Sequence, residues 1–248
     1  MCTLILAWQV FDDTPVAVAA NRDEADGRPA APPAAWEDER PRFVAPRDLQ
    51  AGGTWMGYNE AGLFVGITNR WENVDRLASE RSRGLLVRDA LGQESAAAAR
   101  EHVERELRER EYQPFHLVLA DGEAAFLLAW NGELTVHELD PGVHVVVNVG
   151  FDGAYFVPDR RPEVGEQQAR DTDRVIEAVQ PREGETAVEW TARARGLLGD
   201  HDYGRCIHGD GFGTKSSTVV RIGTGGGAVE HAEGKPCETP FDSIPTPF

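Results

Sequence analysis

The feature that most constrains the fold is the order in which strand-like and helix-like segments follow one another. Strand runs fill the first 70 residues, and a helix pair, more strands, a second helix pair and a last hairpin follow. Two antiparallel sheets need one covered face each, and two helix pairs supply the covers. The order predicts an α+β fold, a four-layer α/β/β/α sandwich, in one domain spanning residues 1–248. Two domains divided near 111–114 are the alternative, although neither half would then close its sheet.

Turn-forming residues delimit the predicted strands. Hairpins are expected for 3–10 with 16–20, for 54–58 with 63–68, and for 218–222 with 228–231. Asp121-Gly122 and Asn131-Gly132 separate the strands of a meander, FHLVLA, AAFLLAW and ELTVHEL, which VHVVVNVG completes. The run GRPAAPPAAWEDERP predicts an ordered surface loop, because proline lacks the amide hydrogen that helices and sheets use.

Four helices are expected, at 84–91, 95–110, 163–179 and 186–198. The second has an apolar stripe at helical spacing, formed by Ala96, Ala99, Val103 and Leu107. The fourth begins with a capping box, in which Thr186 precedes Glu189 by three residues.

Charge narrows the possible partners. The 248 residues carry a formal charge of −17, and Lys215 and Lys235 are the two lysines among 25 basic residues. Nucleic acid and anionic membranes are excluded as expected partners, because a phosphate surface requires a basic footprint. No apolar run is long enough to insert into a membrane, and no secretory leader is recognised, so a cytoplasmic location is expected. The acidic, lysine-poor composition is also typical of halophilic proteins, in which salt screens carboxylate repulsion. Oligomeric state cannot be read from the sequence.

Cys2 directly precedes the first strand run. Removal of Met1 would make Cys2 the N-terminal residue, with a thiol and a free α-amine. An α-amine has an ordinary pKa of about 7.7–8.0, so it can act as a general base near neutral pH. The alternative is an ordinary buried strand cysteine.

A polar tetrapeptide, Asn21-Arg22-Asp23-Glu24, ends the second strand run. A neighbouring strand end is expected to bring these charges to Cys2, where a positive arginine would favour the thiolate. The alternative is a solvated turn.

The sequence resembles a known family at these points. MCTLILAWQ, ANRDE, GGTWMGYNEAGLFVGITNR, VVVNVG and FGTKSSTVV are similar to the NRDE family, which includes the transport and Golgi organisation protein 2 group. That family is similar in turn to N-terminal-nucleophile hydrolases, notably choloylglycine hydrolases and penicillin V acylases. The resemblance covers nearly the whole chain and implies the same α/β/β/α sandwich.

The resemblance implies roles for residues around the N-terminus. Cys2 matches the nucleophile, and Arg22 and Asp23 match an arginine and an aspartate that hold and polarise it. The hydrolases space that pair as Arg-x-x-Asp, so either Asp23 or Glu24 can take the aspartate's role. Asn21 and Glu24 are expected in support.

Three further residues match the hydrolase pattern. Asn69, ending GITN, matches an asparagine that helps to form the oxyanion hole. Asn148, ending VVVN, matches a second substrate-site asparagine. Lys215 lies where many relatives have arginine; it keeps the charge but lacks the bidentate fork.

These residues predict a cysteine hydrolase that cleaves a carbon–nitrogen amide or related acyl bond of a small molecule, without a cofactor. The alternative, which the family's eukaryotic members imply, is a non-catalytic protein that binds or traffics haem, lipid or acyl groups.

No metal site is expected. His201, Cys206, His208 and Asp210 are close in sequence, but their spacing matches no standard zinc pattern. Cys206 and Cys237 are expected to be inert free thiols.

Overall fold

The computed structural model describes residues 2–72 and 80–248. Its strands are β1 (Thr3–Phe11), β2 (Thr14–Ala25), β3 (Ala30–Trp36), β4 (Phe43–Asp48), β5 (Met56–Asn59), β6 (Phe64–Asn69), β7 (Phe115–Ala120), β8 (Ala125–Trp130), β9 (Leu134–Glu138), β10 (Gly142–Val147), β11 (Gly150–Phe151), β12 (Ala154–Tyr155), β13 (Phe212–Gly223), β14 (Gly226–Ala232) and β15 (Asp242–Ile244). Its helices are α1 (Arg83–Leu91), α2 (Ala96–Glu109), α3 (Pro162–Val179) and α4 (Ala187–Gly199), and a 3-10 turn spans His201–Tyr203.

The strands form two antiparallel sheets. The first has the order β12-β11-β10-β1-β2-β13-β14-β15, and the second has the order β3-β4-β5-β6-β7-β8-β9. One apolar core lies between the sheets, where Leu4 and Leu6 of the first meet Phe64 and Val118 of the second. The predicted α+β fold is therefore confirmed.

Each sheet has a second core under its helix pair. Helices α1 and α2 cover the seven-stranded sheet, and α3 and α4 cover the eight-stranded sheet, with Trp190 fully buried. Thr186 and Glu189 form the predicted capping box at the start of α4. This gives the four layers α/β/β/α. Among the described residues, no helix is both long and apolar enough to cross a bilayer.

The proline-rich run is not the predicted loop, because part of it forms β3. The strand is tolerated for two reasons: it lies at the edge of its sheet, and its register with β4 shifts between Ala31 and Ala34. Pro32 and Pro33 occupy this irregularity. Prolines are found in sheets at edges and bulges, where their missing amide hydrogen is not required.

Two other strand predictions need correction. β2 continues to Ala25, so the Asn21–Glu24 tetrapeptide lies inside a strand and does not form a turn. VHVVVNVG does not complete the meander, because β10 crosses to the other sheet and pairs with β1. Periodicity identifies a strand, but it does not say which sheet receives it.

Candidate active site around Cys2

The β1–β2 hairpin brings Cys2 to the polar tetrapeptide directly. Thr3 pairs with Asn21, so Cys2, one residue earlier, lies across from Arg22. Opposed side chains of an antiparallel pair point to the same face. The expected delivery of these charges by a neighbouring strand is therefore wrong, because the two ends of the hairpin are already adjacent. The predicted removal of Met1 concerns a residue outside the described part of the chain.

Cys2 opens on a cavity of about 70 Å³ between the two sheets. The cavity adjoins a wider one of about 440 Å³, and Arg22, Glu24, Trp55, Ile67 and Asn69 line both. The wider cavity is bounded further by charged and polar residues, namely Arg28, Asp48, Thr54, Ser82, Arg83 and Gln113. The nucleophile candidate therefore lies at the narrow end of a polar cleft.

The surroundings of the Cys2 thiol favour its protonated form. Its Sγ contacts the backbone carbonyl oxygen of Asp23 at 3.6 Å. Burial raises the pKa of the thiol, and the negative charge of Asp23 raises this pKa further. A base beside the sulfur is therefore needed to make the thiolate.

Asp23 is a buried carboxylate fixed by β13. Its side chain is 4% exposed, and Thr214 Oγ1 donates a hydrogen bond of 2.6 Å to Asp23 Oδ1. Burial raises the pKa of Asp23, whereas the bond from Thr214 and the positive charge of Arg205 lower it. Asn21 lies on the same strand, and its Nδ2 donates to the carbonyl oxygens of Leu198 and Arg205, both at 3.0 Å.

Arg22 contacts one aromatic ring and one carboxylate. Its guanidinium stacks over the Trp55 ring at 4.4 Å from the centroid, and a terminal nitrogen lies 3.8 Å from Glu24 Oε2. Burial lowers the pKa of Arg22, and the charge of Glu24 raises it, but a guanidinium remains charged in proteins. Glu24 Oε2 also lies 3.9 Å from Arg28. Asp23 is thus the buried carboxylate, and Glu24 is the one paired with arginines.

Asn69 and Asn148 are brought together from different sheets. Asn148 Nδ2 donates to the carbonyl oxygen of Asn69 at 2.7 Å, and Gln168 Nε2 donates to Asn148 Oδ1 at 3.2 Å. Asn69 lines both cavities, whereas Asn148 does not line either of them. Asn148 therefore holds Asn69 in place from behind.

Lys215 is not brought into the cleft. It forms an ion pair with Asp26 and does not line the cavity beside Cys2. The register of β13 with β2 shifts between Thr214 and Ser216, so Lys215 is the extra residue of a bulge. Its neighbour Thr214 is the residue that reaches Asp23.

Sequence reasoning missed Thr214, Trp55 and Arg83. Thr214 and Trp55 lie inside the quoted motifs GTKSST and GGTWMG, but nothing in the pattern distinguishes a threonine that holds a carboxylate. Arg83 lies in α1 and lines the wider cavity. Burial lowers the pKa of Arg83 to about 10, and its Nη1 donates to the carbonyl oxygen of Pro114 at 2.7 Å.

The solved structures that share this fold include the following two. One is the N-acylethanolamine-hydrolyzing acid amidase ortholog of Caenorhabditis elegans, 13% identical, with a TM-score of 0.57 over 88% of this chain and 92% of that chain. The other is penicillin V acylase from Agrobacterium tumefaciens, 14% identical, with a TM-score of 0.51 over 95% and 92%. At these identities the likeness shows the fold, which is that of N-terminal-nucleophile hydrolases.

The sequence comparisons identify a family. The model of the family described as Transport and Golgi organisation 2 matches residues 1–235. No sequence among curated proteins matches significantly.

Proposed function

This chain belongs to the Transport and Golgi organisation 2 family, and from that premise we propose that it is an N-terminal-nucleophile cysteine hydrolase. The bond cleaved is a carbon–nitrogen amide or a related acyl bond of a small molecule. One observation carries the proposal: Cys2 lines a cavity whose wall also contains a buried arginine and a buried carboxylate. An ordinary strand cysteine needs neither.

The first step requires a base. Removal of Met1 would place the α-amine on Cys2, beside its own thiol. The amine takes the thiol proton, and the sulfur attacks the carbonyl carbon. A carbon–sulfur bond forms, and the carbonyl electron pair moves to oxygen. Arg22 favours the thiolate through its charge, and Asp23 accepts a hydrogen bond from the protonated amine.

The second step releases the amine product. The side-chain amide of Asn69 donates to the oxyanion, and such a preset donor contributes about 3–4 kcal/mol to lowering the barrier. Collapse of the intermediate breaks the carbon–nitrogen bond, and the α-ammonium of Cys2 gives its proton to the leaving nitrogen. Water then attacks the thioester with the same amine as base. An acid is released and the thiol is restored.

The cleft supports a polar substrate. Three arginines line the wider cavity, Arg22, Arg28 and Arg83, against two carboxylates, Glu24 and Asp48. Arg28 forms an ion pair with Asp48 at 2.6 Å, and Glu24 lies 3.8 Å from Arg22, so the remaining positive charge among these five groups is that of Arg83. We therefore assign a substrate that carries an anionic group in this part of the cleft.

The alternative function is binding or trafficking of haem, lipid or an acyl group. Sites for such ligands are lined mostly by apolar and aromatic side chains. The cleft beside Cys2 has a predominantly charged and polar lining in its larger part. This favours the hydrolase.

The test combines mass spectrometry with turnover. Intact mass should show loss of Met1, and limited iodoacetamide treatment should label Cys2 before Cys206 and Cys237. A panel of fluorogenic N-acyl aminomethylcoumarin amides, with and without a carboxylate in the acyl group, should be hydrolysed by the wild type. Cys2→Ala should abolish turnover while thermal unfolding is unchanged. Retained Met1, an unreactive Cys2, or full activity in Cys2→Ala would each refute the mechanism.

Haem titration of the wild type distinguishes the alternative. A saturable Soret shift together with no hydrolysis of the amide panel would favour the binding function. A featureless titration would count against it.

A further inference from the structure

A second cluster of reactive side chains lies outside the cleft. His201, Cys206, His208 and Cys237 each present one ligand atom, and these four atoms all lie within 4.8 Å of one another. Three segments contribute: the 3-10 turn after α4, the loop that leads to β13, and the segment between β14 and β15. Cys237 follows His208 by 29 residues, so the spacing of these four residues in the sequence does not indicate a metal site.

The separations fit a tetrahedral metal site. Cys206 Sγ lies 3.3 Å from Cys237 Sγ, and His208 Nε2 lies 3.1 Å from Cys237 Sγ and 3.6 Å from Cys206 Sγ. A tetrahedron built from zinc–sulfur bonds of about 2.3 Å and zinc–nitrogen bonds of about 2.0 Å has edges of about 3.3–3.8 Å. The ligand atom of His201 lies within 4.8 Å of these three, so side-chain shifts of about an ångström would bring the four atoms onto one centre.

The chemistry of the ligand atoms selects the ion. Two thiolates and two imidazoles are soft and borderline ligands, and a tetrahedral S₂N₂ set is typical of zinc. Hard ions such as Mg²⁺ and Ca²⁺ prefer oxygen ligands. Four protein ligands leave no open position, which is the pattern of a structural site. Each cysteine that binds gives up its thiol proton, so binding releases two protons.

The surroundings are those of a metal-binding histidine. His208 Nε2 faces the two sulfurs, and Nδ1 on the other side of the ring lies 3.6 Å from Glu238 Oε1. A carboxylate behind a metal-bound imidazole commonly orients the ring and fixes its tautomer. Cys206 is 4% exposed, so one ligand is anchored in the protein interior.

We propose that His201, Cys206, His208 and Cys237 bind one Zn²⁺ ion. The ion ties the loop before β13 to the segment before β15. The expectations from the sequence, an absent metal and two inert thiols, are replaced by this proposal because Cys237 completes the set from a distant part of the chain.

The proposed site also supports the cleft. The two neighbours of Cys206 are Arg205, whose carbonyl oxygen accepts from Asn21, and Ile207, whose amide donates to Thr214 Oγ1 at 2.9 Å. The Thr214 hydroxyl is the group that donates to Asp23. The metal thus acts as a positioning centre for the loop that holds two residues of the β2 tetrapeptide.

The test measures metal directly and does not depend on turnover. Untagged protein, purified under reducing conditions with zinc in the growth medium, should contain about one zinc per chain by plasma mass spectrometry. Replacement by Co²⁺ should give the intense visible bands of tetrahedral cobalt and near-ultraviolet thiolate charge-transfer absorption. Cys237→Ser and His208→Asn, both at exposed positions, should each weaken binding at least about tenfold, since each removes a ligand. Cys2→Ala is the matched cysteine control and should retain the metal.

Three results would overturn the proposal. These are a metal content near zero with reduced thiols after addition of zinc, a zinc affinity equal to that of the wild type in both ligand variants, and a Cys206–Cys237 disulfide that binds no zinc after reduction. A protein that binds zinc but hydrolyses no amide would refute the proposed function and leave the metal site intact. Zinc removal should also lower the melting temperature of the wild type and leave that of Cys237→Ser nearly unchanged.

Discussion

The bond from Thr214 to Asp23 should be a measurable part of the protein's stability. Thr214 is 1% exposed and Asp23 is 4% exposed, and their oxygens are 2.6 Å apart. Replacing the hydroxyl in Thr214→Val keeps the shape of the side chain but removes a donor to a buried charge and the acceptor of the Ile207 amide. A hydrogen bond to a charged group is worth about 1.5–3 kcal/mol and a neutral one about 1 kcal/mol, so we expect a loss of about 2.5–4 kcal/mol in the free energy of unfolding at neutral pH.

The loss should depend on pH in a defined direction. Burial raises the pKa of Asp23 above its unfolded value, so the ionised carboxylate costs stability as the pH rises through the folded pKa. Thr214 offsets part of that cost. In Thr214→Val the pKa of Asp23 rises further, and the deficit is largest where Asp23 is ionised. In acid, where Asp23 is protonated in both proteins, the deficit should shrink to about 2 kcal/mol, at about 1 kcal/mol for each of the two neutral hydrogen bonds of the hydroxyl.

Urea unfolding at neutral and acid pH provides the assay, with Thr214→Ser as the matched control that retains the hydroxyl. Thr214→Ser should lose less stability than Thr214→Val at neutral pH, and its deficit should be nearly independent of pH. A Thr214→Val deficit below about 0.5 kcal/mol, or one equal to that of Thr214→Ser at both pH values, would refute the role assigned to this bond.

Three further predictions rest on other parts of the fold. Gly227→Ala would place a Cβ atom 2.1 Å from the Tyr58 ring, so it should lower the free energy of unfolding by about 1–3 kcal/mol. A Cβ atom at Gly225 meets no atom within 4 Å, so Gly225→Ala is the control and should cost much less. Equal losses in the two variants would refute the steric argument. Burial lowers the pKa of His116 to about 3. The free energy of unfolding should therefore fall as the pH drops below about 6.5, by up to about 1.4 kcal/mol per pH unit. An equally steep fall in His116→Gln would contradict this. The formal charge of −17 predicts that the melting temperature rises with salt concentration. The screening length shortens from about 10 Å at 0.1 M to about 3 Å at 1 M, which weakens the repulsion among carboxylates. A melting temperature that stays constant or falls would exclude strong repulsion.

The layered fold could be predicted because each level of the sequence agrees with it. Segment order, turn dipeptides and the Thr186–Glu189 capping box all indicate the same sandwich. The failures have local causes. Proline excludes a regular central strand, but Pro32 and Pro33 lie at an irregularity of an edge strand. The sheet that receives β10 depends on long-range packing, which periodicity does not encode.

In the candidate site, too, contacts between neighbouring segments could be predicted from the sequence, and contacts between distant segments could not. Cys2 and Arg22 are adjacent because of one hairpin, so their proximity follows from local sequence. Thr214 reaches Asp23 from a strand 191 residues away, and the bulge that directs Thr214 inward also turns Lys215 away from the cleft. Cys237 comes from a distant segment of the chain and lies beside His201, Cys206 and His208. Contacts of this kind are set by tertiary packing.

The link between Asn148 and Asn69 has a mechanical consequence. The carbonyl oxygen of Val147 accepts from His116 at 3.1 Å, and the carbonyl oxygen of Asn148 accepts from the Trp71 amide at 3.0 Å, so polar bonds join the ends of the two sheets beside the cleft. Sliding of one sheet over the other would break all of these buried bonds at once. These bonds therefore oppose a change in the distance between Cys2 and Asn69. The opposite wall of the cleft, formed by the loop around Thr54 and the start of α1, takes no part in these bonds. We therefore expect changes in substrate range to arise from side chains of that wall.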